Sequence, residues 1–532
     1  MESFKLFNIK SFSKTSEIEL KKINVFVGRN SSGKSSLIRF PVVLSQTFQE
    51  DIYTPILLFG KLIDYGNFDD VIYNHKGDNF GFGFKYSTSK LRDQFMRRSM
   101  YFRDEFRYSF RMLHRNFDNV QIEVKVKKHN KRIIVDNFKL FMDEKELLEI
   151  SREPKKNRYE LKVNYLLRIE EAELFLIDNP RTLNASITFN KFMPEIDLRR
   201  KSIDQVFTNF LAFEKISDSE IIELLQNYML HNKINEVLEE FRNKGKSGDE
   251  INKALQLIDL LQSIHFYSAI LNSINNELNN FAQEVTYIGP FRKDPERIYR
   301  DSENSFNDVG KNGEHTSVLL RQAEQKKNPL LPKVSDWFKS SMGYSIDIDE
   351  IENSNLYKVV VSSIDGKNKD NLIDVGYGIA QVLPIVTQAF LDYNVNEELR
   401  RTVYKFSKKS LLIIEQPELH LHPAAQASLA NLFAEKVVSE PSSKIIIETH
   451  SEHLIRRLQV LIADPDVEIG PNDIAIYYVD KGLEGSYVKK MDINEKGQFI
   501  SEWPSGFFDK SYELSKELLS MSKKKGTVRN ET

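Results

Sequence analysis

The residues best suited to chemistry lie in one short stretch, Gly28-Arg29-Asn30-Ser31-Ser32-Gly33-Lys34-Ser35. Its spacing, G-x-x-x-x-G-K-S/T, answers the needs of polyphosphate binding part by part. Glycines let the backbone turn tightly and aim its N–H groups at phosphate oxygens. Lys34 supplies an ammonium for the terminal phosphates, and the Ser35 hydroxyl supplies a ligand for Mg2+. Asn30, Ser31, Ser32, Gly33 and Ser36 complete the candidate cradle. Far downstream, an apolar run over 411–414 ends in Glu415-Gln416-Pro417-Glu418. Such a run describes a buried parallel strand that delivers a carboxylate at its C-terminal edge. Mg2+ on a bound nucleotide would meet Glu415 there. A second buried run, 445–447, leads to Glu448-Thr449-His450-Ser451. Between the loop and these runs, Gly376-Tyr377-Gly378 stands just before a helix through Val382, Leu383 and Ile385. Backbone N–H groups at that helix start make a second candidate anion site.

The elements that must position these groups are legible around them. Ile23-Asn24-Val25-Phe26-Val27 reads as a strand entering the loop, and a helix from about residue 35 to 49 leaves it. Residues 4–9, 16–20, 80–86, 285–288, 356–363 and 474–479 have strand character. Residues 145–200 are mixed and charged and carry little signal. From about 202 to 282 apolar residues recur every three or four positions, with Leu224, Met229, Ile234 and Phe241 in one stripe and Leu255, Ile258, Leu261, Ile264 and Tyr267 in the next. The turn at 244–248 makes this a helical hairpin or small bundle inserted into an α/β domain.

Two basic segments invite a nucleic-acid reading. Residues 92–115 hold seven arginines among aromatics, and Arg103, Arg107, Arg111 and Arg115 share one face of a helix. That face either grips phosphates or is a solvated surface whose aromatics enter a core. Lys125, Lys127, Lys128, Lys131 and Arg132 alternate as an exposed sheet face does. Arg292 and Arg297 leave a strand on a loop; they could reach a phosphate, but surface ion pairs are the plainer account.

The 532 residues suffice for two or three domains, and a net charge of −2 leaves nucleic-acid contacts to local patches. There is no cysteine, which excludes disulfides and thiolate metal sites. No apolar run is long enough to span a bilayer, and the N-terminus lacks a signal-peptide pattern. These features predict a cytoplasmic protein without a membrane partner.

Taken together, these motifs resemble the ABC-type ATPase heads of the SMC, RecF and OLD-like group. Within it they are similar to the bacterial OLD-like AAA ATPases that serve anti-phage systems such as Septu and its retron-linked versions. The resemblance covers roughly residues 1–90 and 285–510. Residues 28–35 match Walker A, and residues 415–423 match that group's Walker B and D-loop, E-x-P-E-x-H-L-H-P. Residues 448–451 look like the switch-histidine segment, and Gly376 and Gly378 sit where a signature loop belongs. Tyr287 to Arg292 and residues 503–508 also look like family features. The resemblance implies an α/β fold, an ABC-type P-loop head with a RecA-like core, an N-terminal β subdomain and a helical insertion. The expected division is an N-terminal lobe (1–90), an insertion (91–284), a C-terminal lobe (285–515) and a disordered basic tail (516–532).

It further implies ATP with Mg2+ as cofactors and a head-to-head dimer with two nucleotides sandwiched between Walker A and the opposing signature loop. Glu415 would hold Mg2+ with Ser35, and Gln416, Glu418 and His450 would stand around the attacking water. Gln416 occupies the position of the family's water-polarising acid, and a glutamine accepts no proton at neutral pH. Tight ATP binding with slow hydrolysis is therefore expected. His420 with His422, and His450 with His453, also have metal-ligand spacing, but the D-loop and switch roles account better for the first three. About eighty residues follow His450, too few for the TOPRIM nuclease domain of OLD enzymes beside the remaining head elements. Nuclease chemistry is then expected in a separate effector. The competing readings are a RecF/SMC-like DNA clamp in repair and a transporter ATPase.

Overall fold

The computed structural model describes residues 1–89, 117–153, 158–169, 173–183, 187–196, 247–364, 368–391 and 410–504, with isolated positions elsewhere. Along the chain, β1 (Ser3–Ile9), β2 (Phe12–Lys14) and β3 (Ile18–Glu19) precede β4 (Ile23–Gly28) and helix α1 (Lys34–Gln49). After the short α2 (Phe68–Val71) come β5 (Asn79–Ser87), β6 (Asn119–His129), β7 (Arg132–Met142), β8 (Lys145–Glu153), β9 (Arg158–Ile169), β10 (Glu173–Leu183), β11 (Ile187–Asn190) and β12 (Met193–Ile196). Helix α3 (Gly248–Glu284) leads to β13 (Val285–Ile288), β14 (Tyr299–Arg300), α4 (Thr316–Gln325), α5 (Leu330–Met342), β15 (Tyr344–Glu350), β16 (Leu356–Ser363) and β17 (Lys369–Asn371). The chain continues through α6 (Tyr377–Leu391), β18 (Leu411–Glu415), α7 (Pro423–Ser439), β19 (Lys444–Glu448), α8 (Glu452–Ala463), β20 (Ile474–Gly482) and β21 (Gly485–Met491). Two compact units result: Met1–Ile18 with Val43–Gln283, and Glu19–Val42 with Glu284–Thr532.

The first unit is built on a nine-stranded sheet in the order β10-β9-β8-β7-β6-β5-β1-β2, with β3 beside β1. Every neighbouring pair along that path is antiparallel. Period-two patterning decides which face is buried. In β6, Val120, Ile122, Val124 and Val126 are buried, while Lys125 is exposed. They share a core with Phe80, Phe82 and Phe84 of β5 and with Phe138 and Leu140 of β7. Lys125 and Lys127 thus line the outer sheet face, where Lys127 pairs with Asp78, while Lys128, exposed at the strand end on the opposite side, pairs with Asp69.

Residues 145–200, which carry little sequence signal, supply β8 to β12. In β8, Leu147 and Leu148 are adjacent and both buried, beside a register shift at Leu140/Phe141. A bulge breaks the alternation that would reveal a strand. The second apolar stripe of the expected hairpin is α3, with Ile264, Tyr267, Ile270, Leu271, Ile274 and Leu278 buried along one face. Leu224, Met229, Ile234 and Phe241 of the first stripe lie outside the described residues, as do Arg103, Arg107, Arg111 and Arg115.

The second unit holds a six-stranded sheet in the order β13-β18-β19-β4-β20-β21. Its first five strands are parallel, and β21 closes the edge antiparallel to β20. All residues of β4 and β18 are buried, so β18 reads as an apolar run up to Glu415 and β4 as one broken only by Asn24. Buried Asn24 locks the register by donating from Nδ2 to the Lys21 and Ile445 carbonyls at 2.8 and 3.0 Å. Parallel order sends the C-terminal ends of β4, β18 and β19 to one sheet edge, which collects Gly28, Glu415 and Glu448.

Candidate nucleotide site

The loop is shaped by the strand that enters it. At Gly28 φ is +143°, and a Cβ there would stand 1.9 Å from the Val479 carbonyl oxygen. Only glycine lets β4 turn out of the sheet at this point. Ser31 and Gly33 also have positive φ, at 59° and 102°, and α1 begins at Lys34. Lys34 is 3% exposed. Its ammonium donates to the Gly28 and Arg29 carbonyls at 3.1 and 2.9 Å and stands 4.0 Å from Glu448 Oε1. Burial holds its pKa below the ordinary lysine value, against the pull of Glu448 and Glu418. Ser32 Oγ is buried with no hydrogen-bond partner.

Two carboxylates end adjacent strands, and their surroundings differ. Glu415 and Glu448 are register partners across β18 and β19. Glu415 is clamped: Arg39 of α1 donates from Nε to Oε1 at 2.6 Å and from Nη2 to Oε2 at 2.8 Å. Tyr287 of β13 donates its hydroxyl to Oε1 at 2.7 Å. Burial works against the Arg39 charge, but the bonds from Glu415 outweigh it and raise its pKa. Burial, then Glu415, raises that of Tyr287. Glu448 faces the loop, with Lys34 and the Ser35 side chain beside its carboxylate, and its Oε2 is buried without a partner. Burial, then the Glu415 charge, pushes Glu448 up to about 7.

Behind this edge runs the turn from β18 to α7. Gln416 and His420 both have positive φ, at 46° and 62°. The Gln416 N–H donates to the Glu448 carbonyl at 2.8 Å. Glu418 is buried and accepts the His450 N–H at 2.6 Å; burial raises its pKa. Burial, then the Lys34 charge, lowers the His450 ring to about 4, so it is neutral at pH 7. His422 Nδ1 accepts from Ala424 N–H as N-cap of α7, and His453 lies in the first turn of α8. Gly376 and Gly378 flank the start of α6, and the Gly378 backbone presses on the D-loop-like turn, where a Cβ would meet the His420 carbonyl at 2.5 Å. Tyr377 is edge-on to the His420 ring at 5.1 Å.

Arg292 corrects the expectation of a surface ion pair. It is 6% exposed and donates to the Glu415, Gln416 and Pro290 carbonyls. Burial lowers its pKa to about 10. Arg297 does form such a pair, with Asp374 on the surface. Sequence reasoning gave no role to Arg39, whose signal was a lone charge in an otherwise apolar stretch of α1. Tyr287 and Glu448 stood inside recognised segments without a function. A buried strand that carries a tyrosine or ends in an acid calls for a polar partner.

The residues present fit a magnesium-bound nucleotide. A loop with three positive-φ residues, a buried unpartnered hydroxyl at Ser32 and the Lys34 ammonium suit a phosphate chain. The oxygens of Ser35 and Glu448 suit a hard cation such as Mg2+, beside Glu415, whose oxygens are already held by Arg39 and Tyr287.

A family model described as an AAA ATPase domain matches residues 1–455. The chain belongs to this AAA ATPase domain family. A second model, described as a protein of unknown function (DUF3696), matches residues 469–518 of this AAA ATPase. No curated protein matches it in sequence. Among solved structures, one similar chain is the Smc head domain from Pyrococcus furiosus, with an extended coiled coil and bound to the C-terminal domain of ScpA. It is 13% identical, with a TM-score of 0.36, and the match covers 92% of this chain and 96% of that one. Another is the SMC head domain from Thermotoga maritima, 8% identical, with a TM-score of 0.34 and coverage of 92% and 99%. The fold of this AAA ATPase is α/β, with the phosphate-loop motif at the C-terminal end of a central strand of a mostly parallel sheet. Among the described residues no helix is long and apolar enough to cross a membrane.

Proposed function

We propose that this chain binds ATP with Mg2+ at residues 28–36 and uses it as a slowly hydrolysed clamp between two copies. The observation that carries the reading is the convergence of Lys34, Ser35 and the unpartnered Ser32 hydroxyl on one loop faced by the carboxylate of Glu448. The α6 start at Gly376 and Gly378 serves as the surface that meets the partner copy's nucleotide. When bound, Mg2+ neutralises phosphate charge as it develops during transfer. Lys34 orients the terminal phosphates. Glu418 fixes the backbone of His450, whose neutral ring can accept a hydrogen bond from water. Gln416 orients that water without taking its proton, and loss of such general-base help slows a step by about 10²–10⁴-fold. A purified chain that turned over many ATP molecules per second would end the clamp account.

In the cell, the chain is proposed as the ATPase subunit of a bacterial anti-phage complex, holding and controlling a separate effector, most simply a nuclease. The motif over 415–423 supports this OLD-like reading. Arg103, Arg107, Arg111 and Arg115 are assigned to a nucleic acid or to that effector. Co-purification with the product of a neighbouring gene, lost when the four arginines become glutamate, tests the assignment. Salt-sensitive DNA binding by the chain alone, with no associated effector, would favour the RecF/SMC-like clamp instead.

A further inference from the structure

The two carboxylates at the sheet edge divide their labour in an order the motif does not suggest. Every oxygen of Glu415 is engaged: Oε1 accepts from Arg39 and Tyr287, and Oε2 accepts from Arg39. To ligate a cation, Glu415 would have to leave a two-point guanidinium clamp and uncover a buried tyrosine hydroxyl. Glu448 lies one strand nearer the loop, in register with Phe26 of β4. One of its oxygens stands 4.0 Å from the Lys34 ammonium, the Ser35 side chain lies beside its carboxylate, and Oε2 is buried with no partner. Ser35 is the hydroxyl that the loop pattern assigns to Mg2+. The acceptor beside that hydroxyl with an oxygen to spare is Glu448.

We propose that Glu448, rather than Glu415, is the carboxylate through which this chain holds the nucleotide's Mg2+, an inference that rests on the nucleotide reading above. Glu415 is then a positioning residue that ties the helix after the phosphate loop to β13 through Arg39 and Tyr287.

The test measures ATP binding to the full chain by calorimetry with and without Mg2+, with Mn2+ resonance spectra of the ATP complex as a second readout. The wild type should bind ATP more tightly with Mg2+. Glu448→Gln should keep its Mg2+-free ATP affinity, lose the gain, and bind Mn2+ about 10–100-fold more weakly in the ATP complex. Glu415→Gln should keep the gain and melt at a lower temperature. Loss of the gain in Glu415→Gln, or its retention in Glu448→Gln, overturns the inference while leaving the nucleotide site in place. If Glu448→Gln fails to fold, the Glu415→Gln arm decides alone, retention supporting and loss refuting. A wild type that binds no ATP under either condition overturns both readings.

Discussion

The two large sheets obey different rules, and the difference locates the chemistry. In the parallel sheet, strands buried on both faces all end at one edge, so the termini of β4, β18 and β19 assemble a site from residues distant in sequence. In the antiparallel sheet, successive strands end at opposite edges, and one face is clothed in lysines and glutamates. Charges follow the same division. Arg39 and Glu415 form a pair whose acid is 2% exposed, whereas Lys139 of β7 meets Glu146 and Glu149 on the outer face. The first sheet gathers groups that water cannot easily screen; the second displays groups that it can.

The sharpest way to break this contrast is to remove one charge from each pair. Arg39→Ala leaves Glu415 buried and unpaired and should cost about 3–5 kcal/mol. Lys139→Ala should cost at most about 1 kcal/mol. Denaturant midpoints of the two variants compare them directly, and equal losses would erase the distinction.

Next in size are matched core truncations. Ile413→Ala in β18 and Ile122→Ala in β6 both delete side chains with no exposure and should each cost about 2–5 kcal/mol. Only Ile413→Ala should also weaken ATP binding, measured below the melting temperature of both variants, because β18 carries the site's turn. Lys34→Ala should weaken ATP binding about 100-fold, the equivalent of a charge-assisted bond of about 3 kcal/mol, and leave the melting temperature of the ATP-free protein near that of the wild type.

A smaller effect separates two groups within the site, in protein free of metal and nucleotide. Glu448 titrates near 7 in the folded chain against an ordinary 4.5. Its contribution to stability is complete below about 4.5 and is lost as pH rises to about 7. His450 titrates near 4 against 6.5, so its contribution is complete above about 6.5 and is lost as pH falls to about 4. Melting temperatures from pH 4 to 8 should show Glu448→Gln flattening the decline toward neutrality and His450→Asn flattening the decline toward acid. Identical profiles would mean that neither group is held as described. Smallest of all, Lys125→Ala on the outer face of β6 should change stability by no more than about 0.5 kcal/mol.

Legibility in the sequence follows the same contrast. Ile413 and Ile446 stand in unbroken apolar runs, and Val25 in one interrupted only by Asn24, so these parallel strands were readable, as were the acids that end β18 and β19 and the loop after β4. In the antiparallel sheet β6 was visible through its alternating valines, but β8 was hidden where Leu147 and Leu148 break the period. Within the candidate site, the residues that carry a motif are brought together at one sheet edge, while those that carry only a contact had little signal in the sequence. Nothing in the spacing of Arg39, Tyr287 and Glu415 announces that they meet, because β13, α1 and β18 are brought together by the fold alone. Arg292 misled for a related reason: an arginine after a strand is usually solvated, and its burial against three carbonyls depends on a turn more than a hundred residues away.

The crowding of Gly378 against the His420 carbonyl has a mechanical consequence. With no room for even a methyl group between them, the glycine-flanked helix start and the histidine-rich turn are geared together. A displacement of the helix start toward that turn would meet the His420 carbonyl at once, so neither segment can close on the other without pressing on the stretch that follows Glu415.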